Sequence, residues 1–306
     1  MAFASRPHYD WQLRTRSLAL GRRTLVMGIL NVTPDSFSDG GHFFAPEEAP
    51  HRALEHAIAM LDQGADLIDL GGESTRPGST RVSADEEQSR VLPVLSALLQ
   101  ERPSTIVSID TFHASTARCA VEAGAEIVND VSGHLWDTTM SSTCARLSCG
   151  AVLMHTRGTP SEWSSLPPLD PEEIVPLILT SLEASVVSAE AAGVLRRRIV
   201  VDPGLGFGKR LEENYPILAN LAALHRLKLP IMIGASRKNF LANTLAQAPN
   251  LAAMSNGELP PAHARINATL AANVAAILSG AHILRVHDVK PACESAAIAD
   301  QILLGC

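Results

Sequence analysis

Aromatic residues are scarce in this sequence, at 4% of its 306 positions, although 46% of the residues are hydrophobic. The interior must therefore be filled mainly by alanine, valine, leucine and isoleucine, a composition typical of parallel sheets that are buried on both faces. The sequence shows no uninterrupted apolar run near the roughly 20 residues that a membrane span requires. A chain of this length holds one large α/β domain or two smaller ones.

Basic residues are also fewer than acidic ones. The chain carries 25 Lys and Arg against 32 Asp and Glu, a net charge of −7, which argues against a nucleic-acid partner or a polybasic membrane surface. Its five cysteines are odd in number and lack metal-type spacing, so a reducing, cytoplasmic location is expected. There is no His-Glu-x-x-His zinc motif, and Lys209 lacks the following Ser or Thr of a phosphate-binding P-loop.

What the chain does contain is a repeated unit, an apolar strand that ends at a polar residue and runs into a turn-rich loop. The clearest copy is RIVVDPGLGFGK at 198–209, where residues 199–201 predict a strand buried on both faces. The strand stops at the carboxylate of Asp202, because Pro203 cannot continue a central ladder. The glycines that follow allow the backbone to turn tightly and to approach a ligand.

This unit recurs eight times along the sequence, alternating with segments of helical periodicity. The predicted strands are 24–30, 65–70, 105–109, 126–128, 151–154, 199–201, 230–233 and 282–286. The predicted helices are 47–64, 84–100, 114–123, one within 138–148, 171–192, 212–227, one within 239–259, 261–278 and 294–304.

The alternation predicts a single (β/α)8 barrel with parallel strands over residues 1–306, in which residues 1–23 form a short N-terminal extension. A doubly wound sheet is the rival fold, but it would normally place Gly-x-Gly-x-x-Gly after the first strand, where none is present. In barrels of this kind the functional site lies at the carboxyl ends of the strands. The polar residues at those ends are Asn31, Thr75, Asp110, Asn129, His155, Asp202, Lys238, Arg285 and His287.

These residue types fit one kind of ligand. A carboxylate such as that of Asp202 can accept two parallel N–H bonds from an amidine-like edge of a heterocycle. The amide of Asn129 offers one donor and one acceptor to another edge. Cationic side chains such as Arg285, with Mg²⁺ on oxygen ligands, suit a diphosphate. The set therefore indicates the departure of a diphosphate from a flat, nitrogen-rich ring system.

Seven motifs together resemble dihydropteroate synthase, and they follow one another in that family's order. They are MGILNVTPDSFSDGG at 27–41, DLGGESTRPG at 69–78, SIDT at 108–111, VNDVSG at 128–133, DPGLGFGK at 202–209, SRK at 236–238 and RVHDV at 285–289. The resemblance implies a pterin-binding (β/α)8 barrel, usually a cytoplasmic homodimer, that uses Mg²⁺. The family joins 6-hydroxymethyl-7,8-dihydropterin diphosphate to p-aminobenzoate in folate biosynthesis, releases diphosphate, and is the target of sulfonamides.

The resemblance also implies roles for individual side chains. The pterin and diphosphate would be held by Thr75, Asp110, Asn129, Met154, Asp202, Gly206, Lys238, Arg285 and His287. The p-aminobenzoate would contact Phe37, Thr75, Arg76, Pro77, Phe207 and Ser236. Asn31 would ligate Mg²⁺, and the catalytic residues would be Asp110, Lys238, Arg285 and His287.

The mechanism that the resemblance implies is dissociative. Mg²⁺, Arg285 and His287 would stabilise the departing diphosphate, and Asp110 would offset the charge of the pterin-methyl cation that remains. The loops after the first two strands would close over the site and exclude water, and Asp39 would join the site on closure.

Some alternatives stay open at this stage. A pterin-dependent methyltransferase of the same fold would share the pterin pocket but would leave the motif at 236–238 and the first loop without a use. A non-catalytic pterin-binding paralogue is the third possibility. His155 is either a structural histidine or a ligand contact, and Glu73 and Asp288 are either supports of the site or partners in salt bridges. Thr156 departs from the family, in which Met or a similar residue commonly follows the His.

Overall fold

The computed structural model describes residues 3, 6–33, 49–74, 81–251 and 257–305. Eight parallel strands form one sheet that follows the chain, so that strands adjacent in sequence lie side by side and the last strand pairs with the first. The two ends of this sheet meet at a parallel bridge between Val201 and Ile231, where the Val201 N–H donates to the Pro230 carbonyl at 3.0 Å. The strands are β3 Leu25–Asn31, β4 Leu67–Gly71, β5 Val107–Asp110, β6 Ile127–Asp130, β7 Gly150–Met154, β8 Ile199–Asp202, β9 Met232–Ile233 and β10 Ile283–Val286. The predicted (β/α)8 barrel is confirmed.

Helices cover the outside of the barrel. They are α1 Ala49–Asp62, α2 Ala84–Glu101, α3 Ala114–Glu122, α4 Met140–Leu147, α5 Pro171–Ala191, α6 Asn214–Ala219, α7 Asn239–Gln247, α8 Ile266–Leu278 and α9 Val289–Leu304. Short 3-10 segments lie at Arg196–Arg198, Leu221–Leu227 and Ala262–Arg265.

Three helix predictions were wrong in their limits. The helix predicted at 261–278 begins at Ile266, after the 3-10 segment Ala262–Arg265. The predicted helix 212–227 is interrupted at Asn220, whose side-chain amide donates to the Pro216 carbonyl at 2.9 Å and so competes with the helical pattern. The last helix begins at Val289 rather than at residue 294, because Pro291 lies in the first turn, where a missing N–H costs nothing.

The alternation of side chains along each strand divides the barrel into layers. In β4, Ile68 and Leu70 point outward and belong to the large apolar cluster between sheet and helices. Leu67 points inward and packs with Met27, Val152 and other interior residues in a second, separate cluster. This apolar layer fills the interior below the carboxyl ends of the strands, so the polar inward residues further along each strand lie above a packed floor.

An N-terminal hairpin closes the amino end of the barrel. Strands β1, Tyr9–Gln12, and β2, Ser17–Leu20, pair antiparallel, where the sequence predicted only an extension. Trp11, Leu13 and Leu20 are buried against the interior apolar cluster. The Trp11 indole N–H donates to the Arg198 carbonyl at 2.8 Å. The hairpin thus covers the apolar floor from below.

Helix α5 is the one described helix with the length and composition of a membrane span, which the sequence analysis did not expect. About 39% of its apolar window is buried inside the protein. Its residues Ile174, Ile178, Leu182 and Val186 recur at helical spacing and belong to the large cluster between sheet and helices. This packing against the barrel accounts for much of the apolar character of the helix.

We expect that Trp11→Ala lowers the free energy of unfolding by about 3–5 kcal/mol, because it removes a large side chain that is 1% exposed and leaves a cavity. Denaturant unfolding followed by circular dichroism measures the change. Val187→Ala is the control, since Val187 is 60% exposed and should change stability by no more than about 0.5 kcal/mol. Equal effects of the two substitutions would show that the hairpin does not stabilise the barrel.

Candidate active site

Strand register places three predicted residues, Asn31, Asp110 and Asn129, in one row with Gly71, across four neighbouring strands. Asn31 pairs with Gly71, Gly71 with Asp110, and Asp110 with Asn129. All four are the last or next-to-last residues of their strands. Residues almost 100 positions apart in the chain therefore lie side by side at the carboxyl end of the barrel.

Arg285 joins this row from β10. Its Nε donates to Asp69 Oδ2 at 2.5 Å, and its Nη2 donates to Asp110 Oδ2 at 2.6 Å. The amide of Asn129 donates from Nδ2 to the same Asp69 Oδ2 at 2.9 Å. One carboxylate oxygen therefore connects an arginine and an asparagine from opposite parts of the sequence.

Asp69 was not among the predicted site residues. It is fully buried in the middle of β4, one layer above Leu67 and one below Gly71. The signal in the sequence was a carboxylate within the apolar strand Leu67–Gly71, at a position where alternation points the side chain into the barrel. Asp69 belongs to the motif at 69–78, but the predicted site residues were those at the ends of strands, and Asp69 lies inside its strand.

The charges in this network influence one another. Burial raises the pKa of Asp110 to about 7, although Arg285 opposes the shift. Burial on its own would lower the pKa of Arg285, but the carboxylates of Asp69 and Asp110 outweigh it, so the pKa rises and the guanidinium stays charged. Asp110 is thus a carboxyl group whose charge depends on the cation beside it.

The glycine-rich loop after β8 surrounds a second carboxylate. Asp202 is 2% exposed and accepts the Gly204 N–H at 2.7 Å on Oδ1. Burial raises its pKa, opposed by that hydrogen bond and by Lys238. Gly206 adopts φ of +80°, and a Cβ built there would lie 3.4 Å from the Lys238 side chain. The glycine therefore leaves room for the lysine beside the loop.

Lys238 and Phe207 are in contact. The Lys238 ammonium lies 4.1 Å from the centre of the Phe207 ring, a cation–π arrangement. Trp163 packs edge-on against the Phe207 ring, with centroids 5.4 Å apart. Burial, together with the positive charge of Arg285, lowers the pKa of Lys238 to about 8. The residue is thus cationic at neutral pH but close to its titration range.

Lys209 holds the glycine-rich loop in shape, a role that the sequence did not reveal. Its buried ammonium donates to the carbonyls of Gly204 at 2.7 Å, Phe207 at 3.1 Å and His155 at 3.4 Å. Burial lowers its pKa to about 7. These contacts with the main chain make Lys209 a support of the loop.

The loop conformation depends on Gly204, and we expect Gly204→Ala to destabilise the protein by about 2–4 kcal/mol. Gly204 has φ of +67°, and an added Cβ would lie 2.0 Å from the His155 carbonyl oxygen, which cannot move without the backbone. Gly257→Ala is the matched control, because Gly257 has φ of +74° but no atom of the described residues lies within 4 Å of the added Cβ. Thermal and denaturant unfolding of both variants separates the clash from the backbone strain that they share.

Two loops near the site are fixed by polar contacts. The Ser236 hydroxyl accepts the His287 N–H at 3.1 Å and lies 3.0 Å from His287 Nδ1. Arg237 pairs with Asp288 at 2.6 Å. The predicted contributors after β9 and β10 are therefore tied together, and Asp288 has the salt-bridge role that had been left open.

The alternatives for His155 and Glu73 are resolved in part. His155 is 4% exposed, and burial lowers its pKa to about 2, so the ring is neutral at physiological pH. Its main chain accepts from Lys209 and donates to the Asp202 carbonyl at 2.9 Å. Glu73 lies 3.5 Å from His113, and the proximity of this carboxylate raises the pKa of that histidine. Both residues thus contact other protein groups.

An apolar wall borders the polar groups. Met154, Phe112 and Val131 form a small buried cluster, against which Trp136 and Phe207 pack. Met154 also pairs in register with Asp202. This arrangement provides an apolar surface beside hydrogen-bonding groups, which suits a heterocycle. The predicted residues Phe37, Asp39, Thr75, Arg76 and Pro77 lie outside the described residues.

The donors for a metal ion are few. No group of three or more His, Cys, Asp or Glu among the described residues could hold a metal ion. Asn31 Oδ1 and Asp110 Oδ2 each lie 3.6 Å from the position that a Cβ would occupy on Gly71. Asp110 Oδ2 already accepts from Arg285 Nη2, which leaves Asn31 Oδ1 as the better candidate ligand. An amide oxygen is compatible with Mg²⁺, an ion that takes few protein ligands and completes its shell with water and phosphate.

Comparison with known proteins agrees with this geometry. The family model described as "Pterin binding enzyme" matches residues 27–287. A dihydropteroate synthase of Synechocystis is 40% identical over 294 residues, which cover 96% of this chain and 92% of the relative. The chain therefore belongs to the pterin-binding enzymes. Within them it belongs to the dihydropteroate synthase family, whose members are transferases of folate synthesis.

Solved structures give the same result. The dihydropteroate synthase of Clostridium difficile, crystallised in the presence of pteroic acid, has a TM-score of 0.81 and 39% identity, covering 92% of this chain and 98% of that one. The Xanthomonas albilineans synthase with 4-aminobenzoic acid has a TM-score of 0.82 and 35% identity, covering 97% of this chain and 98% of that one. The recognised family and the fold are confirmed.

Proposed function

We propose that this chain is a dihydropteroate synthase that condenses 6-hydroxymethyl-7,8-dihydropterin diphosphate with p-aminobenzoate and releases diphosphate. The observation that carries the proposal is the convergence of Arg285, Asp110, Asn129, Asp202 and Lys238 at one end of a barrel of this family. It supplies hydrogen-bonding groups for a bicyclic heterocycle and cations for a diphosphate.

In this proposal Asp202 and Asn129 bind the pterin ring. The Asp202 carboxylate accepts the parallel N–H groups of the pyrimidine edge, and Asn129 binds a neighbouring edge. Lys238 donates to a ring acceptor, and Met154 packs on the ring face. Gly206 allows this approach because it adds no side chain beside Lys238.

Arg285 and His287 bind the diphosphate. The Arg285 side chain donates from Nε to Asp69 and from Nη2 to Asp110, and these two carboxylates fix the position of the cation. Asn31 would hold Mg²⁺, which supplies charge neutralisation for the phosphate oxygens when it is bound.

The chemistry breaks the bond between the pterin methylene carbon and the diphosphate oxygen, and the electron pair leaves with the diphosphate. Arg285 offsets the negative charge that develops on the leaving group, and the Asp110 carboxylate offsets the positive charge on the pterin methylene. The amino nitrogen of p-aminobenzoate then forms the new C–N bond and loses a proton. Phe207 and Ser236, with Phe37, Thr75, Arg76 and Pro77 outside the described residues, would shape its pocket.

The proposal also includes a cytoplasmic homodimer. In support of a reducing compartment, the four described cysteines, Cys119, Cys144, Cys149 and Cys293, are all free thiols. Ile298 on α9 is 67% exposed and is a candidate for burial between two copies. Light scattering of the purified chain measures its mass, and a monomer at micromolar concentration would contradict the dimer.

The test is to incubate the purified chain with the pterin diphosphate, Mg²⁺ and p-aminobenzoate and to measure both diphosphate and dihydropteroate. We expect stoichiometric formation of the two products and loss of activity on chelation of Mg²⁺. Pterin binding without diphosphate release would favour a non-catalytic paralogue. Methyl transfer from a methylated pterin, without condensation, would favour the methyltransferase.

A further inference from the structure

Asp69 occupies the layer of the barrel between the apolar floor and the candidate site. Leu67, two residues earlier in β4, belongs to the interior apolar cluster, and Gly71, two residues later, lies in the row with Asn31 and Asp110. Asp69 is fully buried, so it lies beneath the residues that would touch a ligand. Its contacts therefore act on those residues from below.

The first contact sets the orientation of an amide. Because Asp69 Oδ2 can only accept, the group that Asn129 turns toward it at 2.9 Å must be Nδ2. The amide oxygen of Asn129 and its second N–H are thereby available to a ligand. With the reverse orientation, two oxygens would face each other inside the barrel. Asp69 thus determines which edge of a heterocycle Asn129 can recognise.

The second contact sets the position of a cation. Arg285 Nε lies 2.5 Å from the same Oδ2, while Nη2 lies 2.6 Å from Asp110. Two carboxylates therefore fix two different nitrogen atoms of one planar guanidinium, which defines its plane. With Asp110 alone, the guanidinium could rotate about a single contact.

Asp69 also carries a cost that packing does not explain. Its Oδ1 is buried and has no hydrogen-bond partner among the described residues. A buried carboxylate oxygen without a partner lowers stability. The other oxygen, Oδ2, makes its side-chain contacts with two ligand-facing groups, Arg285 and Asn129, which indicates a role in the site.

We propose that Asp69 is the positioning residue of the pterin site, which fixes the amide of Asn129 and the guanidinium of Arg285 through one shared oxygen. The inference rests on the proposed synthase function and adds to it the residue that determines the polarity of the pterin-binding edge.

The decisive variant is Asp69→Asn, which keeps the shape of the side chain but removes its charge. In one orientation of the new amide, its oxygen faces Arg285 and Asn129, and its NH₂ group takes the buried place of Oδ1. In the other orientation, the NH₂ group faces the N–H donors of Arg285 and Asn129, and no hydrogen bond can form. We expect the Kd for pteroic acid, measured by calorimetry, to rise about 10- to 100-fold. The thermal midpoint should fall, because the Arg285 guanidinium keeps only Asp110 as a charged partner, so the Kd is measured well below the unfolding transition.

A double-mutant cycle distinguishes positioning from a general structural role. In an Asn129→Ala background, Asp69→Asn should raise the Kd by no more than about three-fold. The amide through which Asp69 acts on the pterin ring is then absent, and its other partner, Arg285, is assigned to the diphosphate, which pteroic acid lacks. Additive effects of the two substitutions, or a wild-type Kd for Asp69→Asn, would overturn the proposal. Failure of both Asp69→Asn and Asp69→Leu to fold would also overturn it, since Asp69 would then be a structural residue.

The matched control is Asp300→Asn. Asp300 is also a buried partner of an arginine, at 2.6 Å from Arg6, but it lies at the closed amino end of the barrel, where its carboxylate also accepts from Thr24. This variant should lose stability and keep the wild-type Kd. Wild-type protein that neither binds pteroic acid nor releases diphosphate would contradict the proposed function instead, so the two failures are distinguishable.

Discussion

Replacing Asp202 by alanine is expected to weaken the binding of pteroic acid by about 100-fold or more, since the ring N–H groups lose a charged acceptor in a buried site. Asp202 is 2% exposed and lies at the end of β8 beside the glycine-rich loop, so water cannot readily replace the carboxylate. Isothermal calorimetry measures the affinity, and circular dichroism confirms that the variant is folded.

Asp130→Asn is the control for this experiment. Asp130 is also a fully buried carboxylate at a strand end, but it accepts from the backbone N–H groups of Ser132 at 2.7 Å and His134 at 3.1 Å, within its own loop. The control should change stability more than affinity. Wild-type affinity in Asp202→Ala would remove Asp202 from the pterin pocket.

Replacing Arg285 by alanine is expected to lower the rate of diphosphate release at saturating substrate by about 100- to 1,000-fold, the size of effect seen when a preorganised stabiliser of developing charge is lost. The substitution also removes the cation that opposes the burial-driven rise in the pKa of Asp110, which already lies at about 7. The pKa of Asp110 should rise further, so the carboxyl group would be protonated at neutral pH. The acidic limb of the pH–rate profile should therefore move to higher pH.

Arg6→Ala is the matched control, because Arg6 is a buried arginine paired with Asp300 at the opposite end of the barrel. It should lower the thermal midpoint and leave both the rate per folded molecule and the pH profile unchanged. An Arg285→Ala enzyme with a normal rate would show that the guanidinium does not meet the leaving group. A lower rate with an unshifted acidic limb would show that the acidic limb does not arise from an Asp110 whose pKa depends on Arg285.

Much of the barrel could be predicted because the strands are short apolar runs bounded by turn formers. Strand β8, for example, was predicted at 199–201 and is observed at Ile199–Asp202. Strand β9 was predicted at 230–233 and is observed only at Met232–Ile233, because Pro230 has no N–H to donate and Ile231 forms an isolated bridge.

The residues that reasoning from the sequence missed share one property, since their roles depend on atoms distant in the chain. Lys209 looked like part of a motif, but only the folded loop brings three carbonyls around its ammonium. Asp69 lay inside the predicted apolar strand 65–70 and was given no role. Its partners Asn129 and Arg285 are 60 and 216 positions away.

By itself the sequence determined that strands and helices alternate and that most strands end in a polar residue. Both are local properties, set by side-chain polarity, periodicity and the backbone limits of Pro and Gly. Only the tertiary structure decided that residues 9–20 close the amino end of the barrel and that Asp69 joins Asn129 to Arg285. Those contacts depend on strand register and barrel closure, which bring distant residues to hydrogen-bonding distance and which no short stretch of sequence encodes.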